Sequence, residues 1–582
     1  MTYTPPVEEQ KFLIRHIVGM EELAGHSQFA EASNDMVDAI VEGAGQFAAG
    51  MFAPLNRIGD EVGARWSPEG VTLPEGFRDA YRGYVEGGWG TIAGPAEFGG
   101  QGLPLTLAVV VMEDLGSANM GFSLCMMLTP GAVEALKHHG STDLQQAWLP
   151  KLITGEWTGT MNLTEPQAGS DVGALKSRAE PVGDGSYRIT GQKIFITFGE
   201  HDLAGNIVHL VLARLPDAPA GTRGISLFLV PKILADGSRN DLRCVSIEHK
   251  LGIHASPTCV MAYGDNEGAT GWLIGEENKG MAAMFTMMNN ARLNVGLQGV
   301  SIAERAMQQA VAYARERVQG SREGRPAKII EFPDVRRMLL RMKALTQAAR
   351  ALTYYTAGQT DRAGLGDAAA RARADLLTPL VKAYGTDVGV EVTSLGVQVH
   401  GGMGFIEETG AAQYMRDSKI LTIYEGTTAI QANDFVGRKT ARDGGTTAKA
   451  IAARIEATEK ALAASSNADA QAFAKRLTAA RQAFVDAVGF VAGNTKASPN
   501  AAFAGSVPYL MLAGNLVGGW QLGRALLAAV DKLAAGDDAA FMTAKIATAR
   551  FYGDHILSKA QGVRDSIVDG AEGCLAMPLE SF

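Results

Sequence analysis

The chain has 582 residues, 46% of them apolar and 20% charged, which is the balance of a soluble globular protein long enough for two to four domains. Its formal net charge of −9 argues against general attraction to nucleic acid or to an anionic membrane. The four cysteines (Cys125, Cys244, Cys259, Cys574) show neither CxxC nor metal-ligand spacing and the histidines form no HExxH pattern, so a disulfide framework and a catalytic metal are set aside.

Residues 1 to about 35 form an acidic preface, Pro-Pro near its start and an amphipathic run at 12–18. No basic stretch leads into an apolar core there, so no export signal is read and a cytoplasmic location is expected. Asn34 is an N-cap candidate for a helix carrying Met36, Val37, Ile40 and Val41, and helical periodicity continues to about Ile153. The glycine-rich loop 95–102 interrupts it. Within the apolar run 122–128, Met126 and Met127 read either as core packing or as the lining of a pocket.

After Trp157 the texture changes to short β-type runs (187–190, 193–197, 207–212, 225–230) separated by Gly, Asp and Pro, which predicts a small antiparallel barrel or sandwich. Helical periodicity returns near Gly280, with long bundle helices expected over 301–317, 334–358 and 367–395 and a glycine turn at 401–404. Arg442-Asp-Gly-Gly reads as a linker into an Ala-rich segment of about five helices, broken at 465–467 and 497–500. The apolar stretch 507–520 is too short to span a membrane. Four domains follow: an N-terminal helical one (1–157), a middle β-domain (158–279), a helical bundle (280–440) and an extra helical domain (441–582).

Three strings carry chemistry. Met161-Asn-Leu-Thr-Glu-Pro-Gln-Ala-Gly-Ser-Asp171 offers a hydroxyl, a rigid turn and a small-residue corner whose donors suit a polar ligand. Lys193-Ile-Phe-Ile-Thr197 places an aromatic and a hydroxyl two residues apart, hence on one strand face, an arrangement that suits a flat ring system. Arg416-Asp-Ser-Lys-Ile-Leu-Thr-Ile-Tyr-Glu-Gly-Thr-Thr-Ala-Ile-Gln431 centres on one carboxylate, Glu425. Its apolar approach (Ile420, Leu421, Ile423) is expected to keep water scarce, and desolvation makes a carboxylate a better base. The plainer alternative is an acid near the first turn of a helix.

These strings, together with NNAR, ARERVQG and QVHGGMG, resemble the acyl-CoA dehydrogenase family in order and spacing over about residues 35–440. The resemblance implies a mainly α fold with a middle β-domain: a helical domain, a β-barrel domain and a four-helix bundle, with FAD held between them. It also implies α-proton and β-hydride removal from an acyl-CoA to give a trans-2-enoyl-CoA, with electron-transfer flavoprotein as electron acceptor. Glu425 then matches the base, and its backbone N–H, with a flavin ribityl hydroxyl, matches the donors to the thioester carbonyl. Met161, Leu163, Thr164, Gly169, Ser170, Phe195, Ile196 and Thr197 match flavin-contacting positions. Arg317, Gln398, Gly401 and Gly402 match those around the pyrophosphate and ADP half, Arg317 from a neighbouring subunit. Thr427 and Gln431 follow the base and are also expected at FAD. For the acyl-CoA, Ser170, Met126, Met127, Asn289, Arg292, Tyr424 and Gly426 match.

Two departures stand out. The family's Arg-x-Gln-Phe-Gly is here Arg317-Val-Gln-Gly-Ser321 with a longer stretch after it, which puts the phenylalanine's FAD contact in doubt. The extension beyond 440 resembles the branch whose members act on 3-methylmercaptopropionyl-CoA, and implies a homodimer rather than a tetramer; Leu124, Cys125, Met126 and Met127 match the family's pocket-lining run and fit a short or medium acyl chain. An acyl-CoA oxidase, a nucleic-acid-associated flavoprotein of the same fold and a membrane-lying C-terminal segment stay as alternatives. The acidic charge opposes nucleic acid, and residues 507–526 lack a basic face for membrane binding.

Overall fold

The computed structural model describes residues 3–582 and divides into two compact units, Glu42–Asn294 on one side and Pro6–Val41 with Val295–Phe582 on the other. Met1 and Thr2 lie outside the described residues.

The Glu42–Asn294 unit begins with helices, of which Leu105–Ala118 and Met120–Met127 are buried over nearly every position. A helix that is apolar all round belongs inside a core. Asn119 starts the second by accepting from Phe122 N–H at 3.1 Å. Phe122 lies between Phe52 and Phe77, each at a ring-centroid distance of 4.5 Å. A small hairpin, β1 (Arg65–Ser67) with β2 (Gly70–Thr72), precedes the main sheet.

That sheet contains β3 (Trp157–Asn162), β4 (Arg178–Pro181), β5 (Tyr187–Thr197), β6 (Asn206–Ala213), β7 (Ser226–Pro231), β8 (Leu242–Ile247), β9 (Thr258–Tyr263) and β10 (Ala269–Ile274). Its order is β3-β6-β7-β10-β5-β9-β8, with β4 beside β5. All pairs are antiparallel except β3–β6, which corrects the fully antiparallel expectation. A parallel pair needs a crossover, and the loop, β4 and β5 between these strands supply it. Every residue of β6 and β7 is buried, as continuous apolar runs require of central strands. The core gathers Ile189, Ile196, Val211, Phe228, Met261 and Tyr263.

In the other unit the helix Gly280–Glu316 contributes its part from Val295 onward, beside Pro333–Gly364 and Ala368–His400. Two of these helices meet along a glycine seam. A Cβ on Gly299 would sit 2.0 Å from the Gly385 carbonyl, and one on Gly385 2.5 Å from that of Gly296, so no larger residue fits. After Glu316 the chain forms the hairpin β11 (Val318–Arg322) with β12 (Arg325–Lys328), where the sequence shows only a longer stretch.

The extension holds long helices over Thr446–Ala464, Ala468–Ala497, Ser506–Ala534 and Ala539–His555, plus shorter ones, with breaks at the expected positions. Asn467 and Asp538 cap two of them. The stretch 507–520 lies in the third and packs as a buried helix. Among the described residues no helix is long and apolar enough to cross a membrane.

Near the N-terminus two details differ from expectation. The helix Asn34–Phe47 is started by Ser33, whose Oγ accepts from Met36 N–H at 3.3 Å, not by Asn34. Part of the acidic preface is core: Glu9 is 5% exposed and accepts from Lys545 Nζ at 2.6 Å and from Gln347 Nε2 at 3.3 Å.

Candidate active site

In the Glu42–Asn294 unit, residues 161–171 leave β3 and fold against β5. Backbone and side chain both tie them down. Ile194 N–H bonds the Thr164 carbonyl at 2.9 Å, and Lys193 Nζ bonds the Leu163 carbonyl at 3.1 Å. The main anchor is a buried ion pair, Lys193 Nζ to Glu165 Oε1 at 2.8 Å, with side chains 0% and 4% exposed. Ser177 donates from Oγ (2.6 Å) and N–H (3.1 Å) to Oε1, while Lys176 N–H (2.7 Å) and Gln167 Nε2 (2.6 Å) donate to Oε2. Burial pushes Glu165 upward, but the Lys193 charge and these hydrogen bonds more than offset it and hold the carboxyl at about 2. Burial also draws Lys193 down, to about 8, against the pull of Glu165. Five donors converge on the Glu165 carboxylate, so the pair rests as carboxylate and ammonium.

The anchored loop presents Thr164 and Thr197, both half-buried, with no hydrogen bond from either hydroxyl among the described residues. Ser170 and Gly169 are exposed, and a Cβ on Gly169 would meet open space. Met161 is 8% exposed. The strict alternation expected through 193–197 fails, because a bulge shifts the β5–β9 register between Lys193 and Ile196. Phe195 adopts φ 60° there with its side chain 57% exposed, whereas Ile196 is 2% exposed within the core and offers only its backbone. Leu163 is half-buried.

Elsewhere in this unit Met126 and Met127 are each 2% exposed, Arg292 is 4% exposed and Asn289 is exposed. Two buried histidines of the β-domain stay neutral, since burial and then nearby cations lower His201 and His209 to about 3. They belong to core networks, His201 with Thr158 and His209 with Thr160, and are unsuited to acid–base work near neutral pH.

In the Pro6–Val41 and Val295–Phe582 unit, Glu425 has φ 55° and Gly426 has φ 86°. Left-handed backbone in a residue other than glycine costs about 1–2 kcal/mol and persists only where surroundings enforce it. Here several groups do so. Gln431 Nε2 donates to the carbonyls of Glu425 (3.1 Å) and Gly426 (3.3 Å), and Thr427 caps the helix Thr428–Asp434 through Ile430 N–H at 3.3 Å. Tyr424 donates its phenol to Gln298. Burial, and then the Glu425 charge, raise the Tyr424 phenol above its ordinary value, so it stays a neutral donor. The expected dry approach is only partly present in the chain itself, because Leu421 is fully buried but Ile423 is 50% exposed and Glu425 half-buried.

The same unit carries Gln398, Gly401 and Gly402, all exposed where the Ala368–His400 helix stops. Gly401 has φ 60°, and a Cβ at either glycine would meet open space. Arg317 is exposed. These residues fit a bound dinucleotide. Among the described residues the buried Gln431 Oε1 has no partner and the side chains of Arg317 and Gln398 make no hydrogen bond, and the glycine turn lets a ligand reach the backbone. Sequence reasoning missed Glu165 and Lys193 as a pair, although both stand inside the quoted strings.

The chain belongs to the acyl-CoA dehydrogenase family and is an enzyme of that class. Residues 37–156, 160–265 and 278–439 match the "Acyl-CoA dehydrogenase" N-terminal, middle and C-terminal domains, and residues 449–578 match "Acetyl-CoA dehydrogenase C-terminal like". It is 51% identical to the 3-methylmercaptopropionyl-CoA dehydrogenase of Ruegeria pomeroyi, over 100% of both chains. It is 35% identical to a butyryl-CoA dehydrogenase of Syntrophomonas wolfei, over 100% of this chain and 99% of that one. Its fold is shared with an acyl-CoA dehydrogenase from Bacillus anthracis complexed with FAD, at TM-score 0.76 and 22% identity, covering 94% of this chain and 91% of the other.

Proposed function

We propose that this acyl-CoA dehydrogenase oxidises a short or medium acyl-CoA, 3-methylmercaptopropionyl-CoA foremost, with Glu425 as base. The observation that carries the reading is the φ 55° of Glu425, a strained carboxylate held from both sides of its loop. FAD, when bound, would supply the two-electron acceptor for the β-hydride. Glu425 accepts the α-proton and becomes the neutral acid. Its N–H faces the thioester carbonyl, where negative charge grows as the proton leaves. The residues proposed to hold FAD are Met161, Leu163, Thr164, Gly169, Ser170, Phe195, Ile196, Thr197, Arg317, Gln398, Gly401, Gly402, Thr427 and Gln431. The unengaged hydroxyls of Thr164 and Thr197 and the orphan oxygen of Gln431 support this set.

Ser170, Met126, Met127, Asn289, Arg292, Tyr424 and Gly426 are proposed for the acyl-CoA. The substrate choice is supported by the 51% identity to the Ruegeria pomeroyi enzyme. We further propose a cytoplasmic homodimer that passes electrons to electron-transfer flavoprotein, organised as domains 1–157, 158–279, 280–440 and 441–582. Exposed apolar side chains at Val318 (47%), Met403 (47%) and Phe405 (84%) are surface for a second copy to cover.

The test uses purified FAD-loaded enzyme with a panel of propionyl-, butyryl-, octanoyl- and 3-methylmercaptopropionyl-CoA and an artificial electron acceptor. Preference for 3-methylmercaptopropionyl- or butyryl-CoA without H2O2 release supports the reading. Preference for octanoyl-CoA contradicts the choice of 3-methylmercaptopropionyl-CoA as foremost substrate, and H2O2 release in proportion to turnover marks an oxidase.

A further inference from the structure

We propose that Asp387 is a positioning residue for Glu425, fixing the loop that carries the base through its hydrogen bond with Thr428. The inference rests on the assignment of Glu425 as base.

One helix, Ala368–His400, grips the base loop twice. Lys382, fully buried, donates from Nζ to the Leu421 carbonyl at 2.9 Å. Asp387 Oδ2 accepts from Thr428 Oγ1 at 3.2 Å. Leu421 precedes Glu425 and Thr428 follows it, so the two contacts bracket the strained pair Glu425 and Gly426. The glycine seam fixes this helix against the one bearing Gln298, which holds Tyr424. The strained backbone is therefore enclosed by groups on rigid helices, the arrangement needed to keep a reacting carboxylate in one geometry.

Asp387 has no other hydrogen-bond partner among the described residues. It stands at the edge of a 430 Å³ cavity that Arg341, Glu391 and Leu512 also line. The charged groups that act on it are Lys382 and Glu391 on its own helix and Lys419 from the turn Lys419–Thr422. Burial raises its pKa. A half-buried carboxylate with a single neutral partner and no ion pair contributes little to stability, because its desolvation is not offset. What it does achieve is to set where Thr428, the first residue after the Thr427 cap, sits relative to the base.

The experiment compares Asp387→Ala, Thr428→Val and the double variant as FAD-loaded enzymes, with Asp387→Asn as the conservative replacement and Glu425→Gln as the control for the base. Butyryl-CoA and its α-deuterated form are the probes. Each single removal is expected to lower kcat roughly tenfold, since small misplacement of a reacting group is costly, with KM changed less than about twofold. The α-deuterium isotope effect should rise, because proton removal then limits turnover more strongly. The double variant should lose no more than either single one, because both break one contact. Asp387→Asn should recover most of kcat, its amide oxygen accepting the same bond, and FAD content and melting temperature should stay unchanged.

Losses that add in the double variant, or that follow FAD content or melting temperature, would overturn the positioning role. So would an unchanged isotope effect in an enzyme that Glu425→Gln inactivates. Turnover surviving in Glu425→Gln would instead overturn the base assignment on which the inference stands.

Discussion

Residues 161–171 and 421–431 are both irregular segments rich in polar groups and both are proposed to face a ligand, yet they are held by different chemistry. The first is fixed by a fully buried charge pair whose carboxylate accepts from five donors, and its own backbone is free of strain apart from the neighbouring bulge at Phe195. The second carries two successive left-handed residues held directly by neutral groups, the Gln431 amide and the Thr427 cap, while the charged Lys382 and Asp387 grip it further out, at the Leu421 carbonyl and the Thr428 hydroxyl. A segment that only offers hydroxyls tolerates a strong charge at its base.

Substitutions can break this contrast. Lys193→Met leaves the Glu165 charge buried without its counter-ion, and a loss of about 3–5 kcal/mol in unfolding free energy is expected. Adding Glu165→Leu should recover much of it, and urea unfolding of the isolated proteins checks both. Gly426→Ala is expected to cost about 2 kcal/mol and to lower FAD retention. Alanine there must adopt φ 86° with its Cβ 2.8 Å from Gln431 Nε2. Gln431→Leu removes two neutral hydrogen bonds, for about 1 kcal/mol, and its FAD dissociation constant should rise severalfold in an absorbance titration.

The smallest effect concerns pH. The Lys193 charge and the converging donors hold the Glu165 carboxyl at about 2, below the ordinary 4.5, so its contribution is complete above about pH 4.5 and is lost as pH falls toward 2. Melting temperatures from pH 6 to 3 should therefore fall less steeply in Glu165→Gln than in the parent. Identical slopes would show that the pair does not govern acid stability.

Much of this architecture is legible in the sequence because it is local. Helical periodicity and the polar breaks at 465–467 and 497–500 mark the appended helices, and the quoted strings mark both segments proposed to face the ligand. What escapes depends on partners distant in the chain. The parallel pairing of β3 with β6 is decided by a crossover, and Lys193 finds Glu165 only once the loop folds onto β5. The bulge at Phe195 overrides the alternation that its strand pattern predicts, because β9 sets the register. Nor does the letter E at position 425 disclose φ 55°, which Gln431, Tyr424 and Gln298 impose from other elements. The glycine seam is a similar case, since glycines in helices read as weak points until the facing helix is known.

The most direct test of the account is turnover of the Glu425→Gln enzyme, with FAD content measured on the same sample. The amide preserves size and hydrogen bonding but cannot accept the α-proton. With Glu425 as base, bound FAD should stay at the parental level and kcat should fall roughly a hundredfold to ten-thousandfold, the share a general base supplies. Turnover within about threefold of the parent would place the base on another residue and contradict the central assignment.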